Sequence, residues 1–183
     1  MTDQVNKHYK LKLQFDGDQI SDVLLYEFKH NGHNAMTKEG RYSGCVQFEK
    51  GDTIEVEVTM TAEAKEKATV ERMQVISLDL VSQPNVTHQI DSFSPFTSDE
   101  VTKSLVGNWS IPKEEIDPAN GAKRWISKWE GEPLSVTADK GYWQLSGFLG
   151  VAVYQTMGTA PIRIPRVLSF DPETSTGGDN PDE

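Results

Sequence analysis

Ile54, Val56, Val58 and Met60 alternate with Glu55, Glu57 and Thr59, and this is the segment that most restricts the fold. A period of two sends the apolar side chains to one side of an extended backbone and the acids to the other, giving a strand with one dry face and one wet face. A strand has to pair, and a dry face has to be covered by a second layer.

The same period recurs upstream, where Tyr9, Leu11, Leu13 and Phe15 are separated by Lys10, Lys12 and Gln14. Asp16-Gly17-Asp18 then supplies turn chemistry, and residues 23–28 form a more continuous apolar run. The Asn31-Gly32 pair behind it suits the positive φ angles of a tight hairpin. Residues 42–48 predict a third strand, and Lys50-Gly51-Asp52 turns the chain into the Ile54 segment. Residues 62–68 are rich in Ala, Glu and Lys but have too thin an apolar side for a buried helix, so a solvated loop or one exposed helical turn is expected. Between residues 70 and 81 the alternation changes phase: Met73 and Val75 share one parity, while Ile76, Leu78 and Leu80 share the other. One long strand carrying a β-bulge produces that pattern.

Residues 83–120, with Pro84, Pro95, Pro112 and Pro118, read as irregular, and Thr97-Ser98-Asp99-Glu100 predicts the cap of a short helix ending near Leu105. Strands return at 123–129, 134–137, 142–154 and 162–170. The stretch 142–154 is nearly uncharged, and Gly147 and Gly150 inside it mark a bulge or a close approach of another backbone or a partner. About seven to nine strands divided by turn signals predict an all-β fold, an antiparallel β-sandwich, with a partly closed barrel as the alternative. A length of 183 residues without a composition break predicts one domain over residues 1–173. The Asp-, Gly- and Pro-rich residues 174–183 are expected to form a disordered acidic tail.

Composition narrows the partners. The formal charge is −10, half of it in the last thirteen residues, and no Lys/Arg cluster of the kind that binds phosphate backbones occurs. Nucleic acid is therefore not expected. Neither is a membrane, since no secretory leader or spanning apolar run is visible and the single cysteine, Cys45, cannot form an internal disulfide. The cytoplasm is the expected compartment.

Motifs for chemistry are wanting. His30 and His33 form a His-x-x-His pair on a turn with no third ligand nearby, and Asp16-Gly17-Asp18 lacks the alternating ligands of a calcium loop. Ser146 precedes Gly147 without a nucleophile elbow, and the glycines at 141, 147 and 150 fall within a strand pattern, away from any strand-to-helix phosphate loop. No metal, cofactor or catalytic residue is implied, although a site assembled from distant residues would leave no local motif. The uneven feature is aromatic: Trp109, Trp125, Trp129 and Trp143 lie within one third of the chain, together with Tyr142. Trp125 and Trp129 share strand parity, flanked by Arg124 and Lys128.

Two functions follow from these residues. The first is a non-enzymatic β-sandwich acting by self-assembly or by binding a protein partner, through a surface that includes Tyr142, Gly147 and Gly150. The alternative is a carbohydrate or small-ligand binding module that stacks its ligand on Trp125, Trp129 and Trp143.

The segments Glu49-Lys50-Gly51-Asp52-Thr53-Ile54, Tyr142-Trp143-Gln144-Leu145-Ser146-Gly147-Phe148 and Leu168-Ser169-Phe170-Asp171-Pro172 resemble, in order and spacing, the bacterial inclusion-body protein family, the AidA or PixA-like proteins. Residues 10–28 depart from that family's usual opening. The resemblance implies a cytoplasmic β-sandwich that self-associates and has no assigned activity, and it carries over no catalytic residue.

Overall fold

The computed structural model describes residues 6–37, 45–62, 70–84, 92–139, 141–157, 160–171 and 173–176. In chain order the strands are His8–Asp16 (β1), Leu25–His30 (β2), His33–Asn34 (β3), Val46–Phe48 (β4), Thr53–Ala62 (β5), Val70–Pro84 (β6), Thr102–Val106 (β7), Lys113–Ile116 (β8), Lys123–Lys128 (β9), Leu134–Ser135 (β10), Gly141–Met157 (β11), Ala160–Phe170 (β12) and Glu173–Thr176 (β13). Among the described residues there is no helix. A seven-stranded sheet runs β3-β2-β1-β5-β9-β8, with β10 also on β5. A six-stranded sheet runs β4-β13-β11-β6-β7, and β12 shares with β13 one edge of the long β11. Pairing is antiparallel except for β1 with β5 and β13 with β4. Neither sheet closes on itself, so the architecture is a sandwich and not a barrel.

Alternation builds the core. Tyr9, Leu11, Leu13 and Phe15 of β1 and Ile54, Val56, Val58 and Met60 of β5 are buried, and so are Leu145, Leu149, Val151 and Val153 of β11. Burying an aliphatic or aromatic side chain fully stabilises a fold by about 1.5–3 kcal/mol, so this row of facing residues sets the pairing register. The phase change in β6 is a bulge: Gly150 lies opposite Ser77 and Val151 opposite Val75, which leaves Ile76 as the extra residue. Met73 and Val75 before it, and Leu78 and Leu80 after it, can therefore all point inward. At the β2–β3 hairpin Asn31 has φ 50° and Gly32 φ 80°, the left-handed pair a two-residue turn requires.

The turn before β5 is locked by Asp52, which is fully buried. Its carboxylate accepts from the backbone N–H of Lys7 (2.7 Å) and of Glu49 (2.8 Å). Gly51 has φ 94° and donates to the Val136 carbonyl at 2.8 Å, which ties β10 to this turn.

Two expectations change. The helix predicted to end near Leu105 is a strand: Thr97 spends its hydroxyl on the Glu100 carbonyl, and β7 pairs with β6, Leu105 opposite Leu78. The chance to complete an open sheet edge outweighs a capping pattern with two apolar residues, Val101 and Leu105, behind it. Residues 83–120 thus contain β7 and β8 and are not irregular throughout. Beyond Phe170 the chain forms one more strand, Glu173–Thr176, paired with β11 and β4, where the unstructured tail was expected to have begun. The loop expected at 62–68 falls, after Ala62, outside the described residues, as do 42–44 of the third expected strand and 177–183 of the tail.

Candidate functional site: the outer face of the second sheet

Along β11 inner and outer side chains alternate. Trp143, Leu145, Gly147 and Leu149 face the core, while Gln144, Ser146, Phe148 and Gly150 face out. Cross-strand neighbours extend this outer row: Phe148 lies beside Asp79 and Ser169, and Gly150 beside Ser77 and Val167, with Val106 opposite Ser77 on β7. Phe148 is 43% exposed, Val167 65% and Val106 58%, and Ile76 adds to them. A Cβ built on Gly150 would meet Ser77 Oγ at 3.0 Å and Ile76 Cβ at 3.9 Å, so the bulge brings Ile76 onto this face. Gly150 is the low point of an apolar strip. At its lower end Arg72 stacks 4.0 Å above the Tyr154 ring, and Arg163 is Tyr154's cross-strand partner.

The other expected site residues lie elsewhere. Gly147 points inward, where the Phe170 ring fills the space a side chain would take, with Cε1 1.9 Å from a built Cβ. The close approach expected at this glycine is thus made by the chain's own ring. Tyr142 is half-buried on β11. Trp143 is 1% exposed and donates its indole N–H to the Ser92 carbonyl at 3.2 Å, and Trp125, on the opposite sheet, is 2% exposed. Neither ring offers a face to a ligand, so the three tryptophans expected to form a platform are not brought together. Trp129 instead pairs edge-on with Trp109, centroids 5.4 Å apart, and donates to the Glu132 carbonyl at 2.9 Å.

Other groups are satisfied locally. His30 Nδ1 donates to the His8 carbonyl at 3.0 Å and its Nε2 accepts from the Asn31 amide at 3.1 Å, while His33 is exposed on the hairpin. Among the described residues no group of three or more His, Cys, Asp or Glu could hold a metal ion. Cys45 is buried. Ser146 Oγ and the Gln144 amide both donate to Asp171, at 3.0 and 2.9 Å, an arrangement that fastens the end of β12 to β11.

Residues not singled out by sequence complete the picture. Arg72, Arg163, Val106 and Ile111 gather around a cleft of about 680 Å³ at the far edge of β6, and Ile20 stands fully exposed between β1 and β2. For Ile20 the available signal was an aliphatic residue alone among polar ones, Asp18-Gln19-Ile20-Ser21-Asp22. The cleft joins four separated segments and leaves no local pattern.

Fold and surface together define an all-β sandwich whose outer sheet faces differ sharply in character. No family model matches the sequence, and no curated protein matches it. Among solved structures, the crystal structure of an inclusion body protein, PixA, from Burkholderia cenocepacia aligns with 97% of this chain and 99% of that chain, at 7% identity and a TM-score of 0.36. The protein so matched bears the name of the family that the sequence segments resemble. No helix among the described residues is long and apolar enough to cross a membrane.

Proposed function

We propose that the protein works without catalysis, by associating with further copies of itself through the outer face of its second sheet. The observation that carries this reading is the exposure of Phe148, Val167, Ile76 and Val106 around a glycine that leaves the strip flat, with the small side chains of Ser77 and Ser169 and the Asp79–Ser104 pair among them. Removing such a strip from water yields about 25 cal/mol per Å² of apolar surface, and exposed apolar patches mark association sites. The resemblance of the sequence segments to inclusion-body proteins agrees with this reading, and the cytoplasm is the compartment proposed for it. The test is solution mass by light scattering, for the full chain and for a Phe148→Lys/Val167→Lys variant, at low and high salt. The wild type is expected to be an oligomer that persists at high salt and the variant a folded monomer. A monomeric wild type, or a variant of unchanged mass, would refute the proposal.

A further inference from the structure

We infer that the partner segment for this face is the β1–β2 loop of a second copy, seated in the cleft at the edge of β6; the inference rests on the association reading above.

The loop is built to project. The Gly17 N–H donates to the Thr61 carbonyl at 2.8 Å, and the Gln19 side chain spans the loop, accepting from Asp16 N (2.8 Å) and donating to the carbonyls of Ser21 (3.0 Å) and Val23 (2.8 Å). Arg166 reaches over from β12 and donates to the carbonyls of Gly17, Gln19 and Ser21. The Ser169 N–H donates to the Asp22 carbonyl at 2.8 Å, and Leu24 N donates to the Ser169 carbonyl at 2.9 Å. These bonds fix the backbone in the free chain, which lowers the ordering cost of binding. At the apex stands Ile20, fully exposed, with exposed Asp18 and Asp22 on either side. A single exposed aliphatic residue is ordinary. A clamped loop holding one between two acids, on a chain that also carries a cleft of the opposite chemistry, is not.

The cleft arises because β7 stops early. Its last pair is Val106 with Ser77, and from Arg72 to Ile76 no described strand lies beside β6 on that side. The cleft is lined there by inward-facing Met73 and outward-facing Ile76 alike, which means that the strand's edge itself is open. Trp109 and Ile111 form the opposite wall, and Ile111 is almost wholly exposed. Arg72 and Arg163 stand at the rim. Ile20 thus matches the apolar walls, and Asp18 and Asp22 match the two guanidinium groups.

The loop is fastened to β12, while the open edge of the cleft lies beyond β6 with β11 between them, and Arg163 reaches the cleft from β12 itself. Hydrogen bonds to Thr61, Arg166 and Ser169 hold the loop in place on its own copy, which leaves the cleft to the loop of another copy. The contact joins two different surfaces, so each added copy offers a new free loop and a new free cleft, and growth does not close unless the rotation happens to form a ring.

The test uses two full-length variants altered at exposed positions: Ile20→Asp, which spoils the loop, and Ile111→Asp/Arg163→Glu, which spoils the cleft. Circular dichroism first establishes that both are folded, and light scattering then measures each alone and in equimolar mixture. Each alone is expected to be monomeric at concentrations at least tenfold above those at which the wild type associates. The mixture is expected to give a dimer and nothing larger, because one good loop meets one good cleft and the remaining pair is doubly impaired. Variants that keep the wild-type mass would overturn the loop-in-cleft contact while leaving the association reading intact. A mixture that remains monomeric would also overturn it, because complementary defects must restore one contact. A monomeric wild type would remove both.

Discussion

The two outward faces of the sandwich are made by the same period-two alternation and end up as chemical opposites. On the first sheet Lys12 of β1, Glu57 of β5 and Lys128 of β9 stand side by side in register. Glu57 Oε1 lies 3.4 Å from Lys12, and its Oε2 lies 3.8 Å from both Lys10 and Lys128. The carboxylate is almost buried beneath lysine stems that cover it while their ammonium groups stay wet. On the second sheet the corresponding rows hold Phe148, Gly150 and Val167, and between described residues no ion pair crosses them. The first face pairs its central carboxylate within the monomer and exposes Leu25 toward its β2 edge; the second exposes Phe148 and Val167 near the middle of the sheet, with Ser77, Ser169 and the Asp79–Ser104 pair among them. Charge in a strand pattern therefore says more about the outer face than apolar content does, since both sheets bury aliphatic and aromatic side chains within.

The division between the inner and outer sides of β11 gives the largest expected effect. Trp143→Ala removes a fully buried ring and its hydrogen bond to Ser92, and is expected to destabilise the fold by about 3–5 kcal/mol. Equilibrium urea unfolding measures it. A loss below about 1 kcal/mol would place Trp143 outside the core and reopen the ligand platform.

A smaller effect probes the charged face. Glu57→Ala leaves three lysines facing one another without their common counter-charge, and a loss of about 1–3 kcal/mol is expected. Added salt screens the repulsion, so the loss shrinks at high ionic strength. Val167→Ser on the other face should alter monomer stability by no more than about 0.5 kcal/mol. Equal losses from the two substitutions, measured by urea unfolding at two salt concentrations, would erase the contrast between the faces.

What could be read beforehand follows from the range of the interactions involved. The strands β1 and β5 were legible because alternation needs only neighbouring residues, and the bulge at Ile76 because it shifts that alternation by one. The strand β8 was not: all four of its residues are exposed, and it exists because β9 has an edge to pair with. The parallel pairing of β1 with β5 is likewise a tertiary choice, invisible in either strand. At Gly147 and Gly150 the sequence announced a close approach without naming the occupant, which is the Phe170 ring in one case and Ser77 in the other. For the tryptophans, parity gave adjacency along a strand but not which side was dry, so Trp125 and Trp143 were read as a platform when each is core on its own sheet.

The smallest expected effect concerns a polar group that the first sheet carries on its inner side and β4 of the second sheet satisfies. Tyr9 is buried, and its hydroxyl donates to the Gln47 carbonyl at 3.1 Å. Burial above all, and then the negative charges of Asp52 and Glu49, disfavours the phenolate, so the pKa is pushed up from 10.0 to about 12. Between those values the unfolded chain has lost the Tyr9 proton and the folded chain retains it. The unfolded state then binds fewer protons, and stability falls as pH rises. The contribution is fully present below about pH 10 and lost as pH climbs toward about 12. Tyrosinate absorbance of the native protein should include a late step from Tyr9, and that step should be missing in Tyr9→Phe. Superimposable titrations of the two proteins would mean that this phenol is open to water, and that the core beneath the charged face is less tightly closed than its geometry requires.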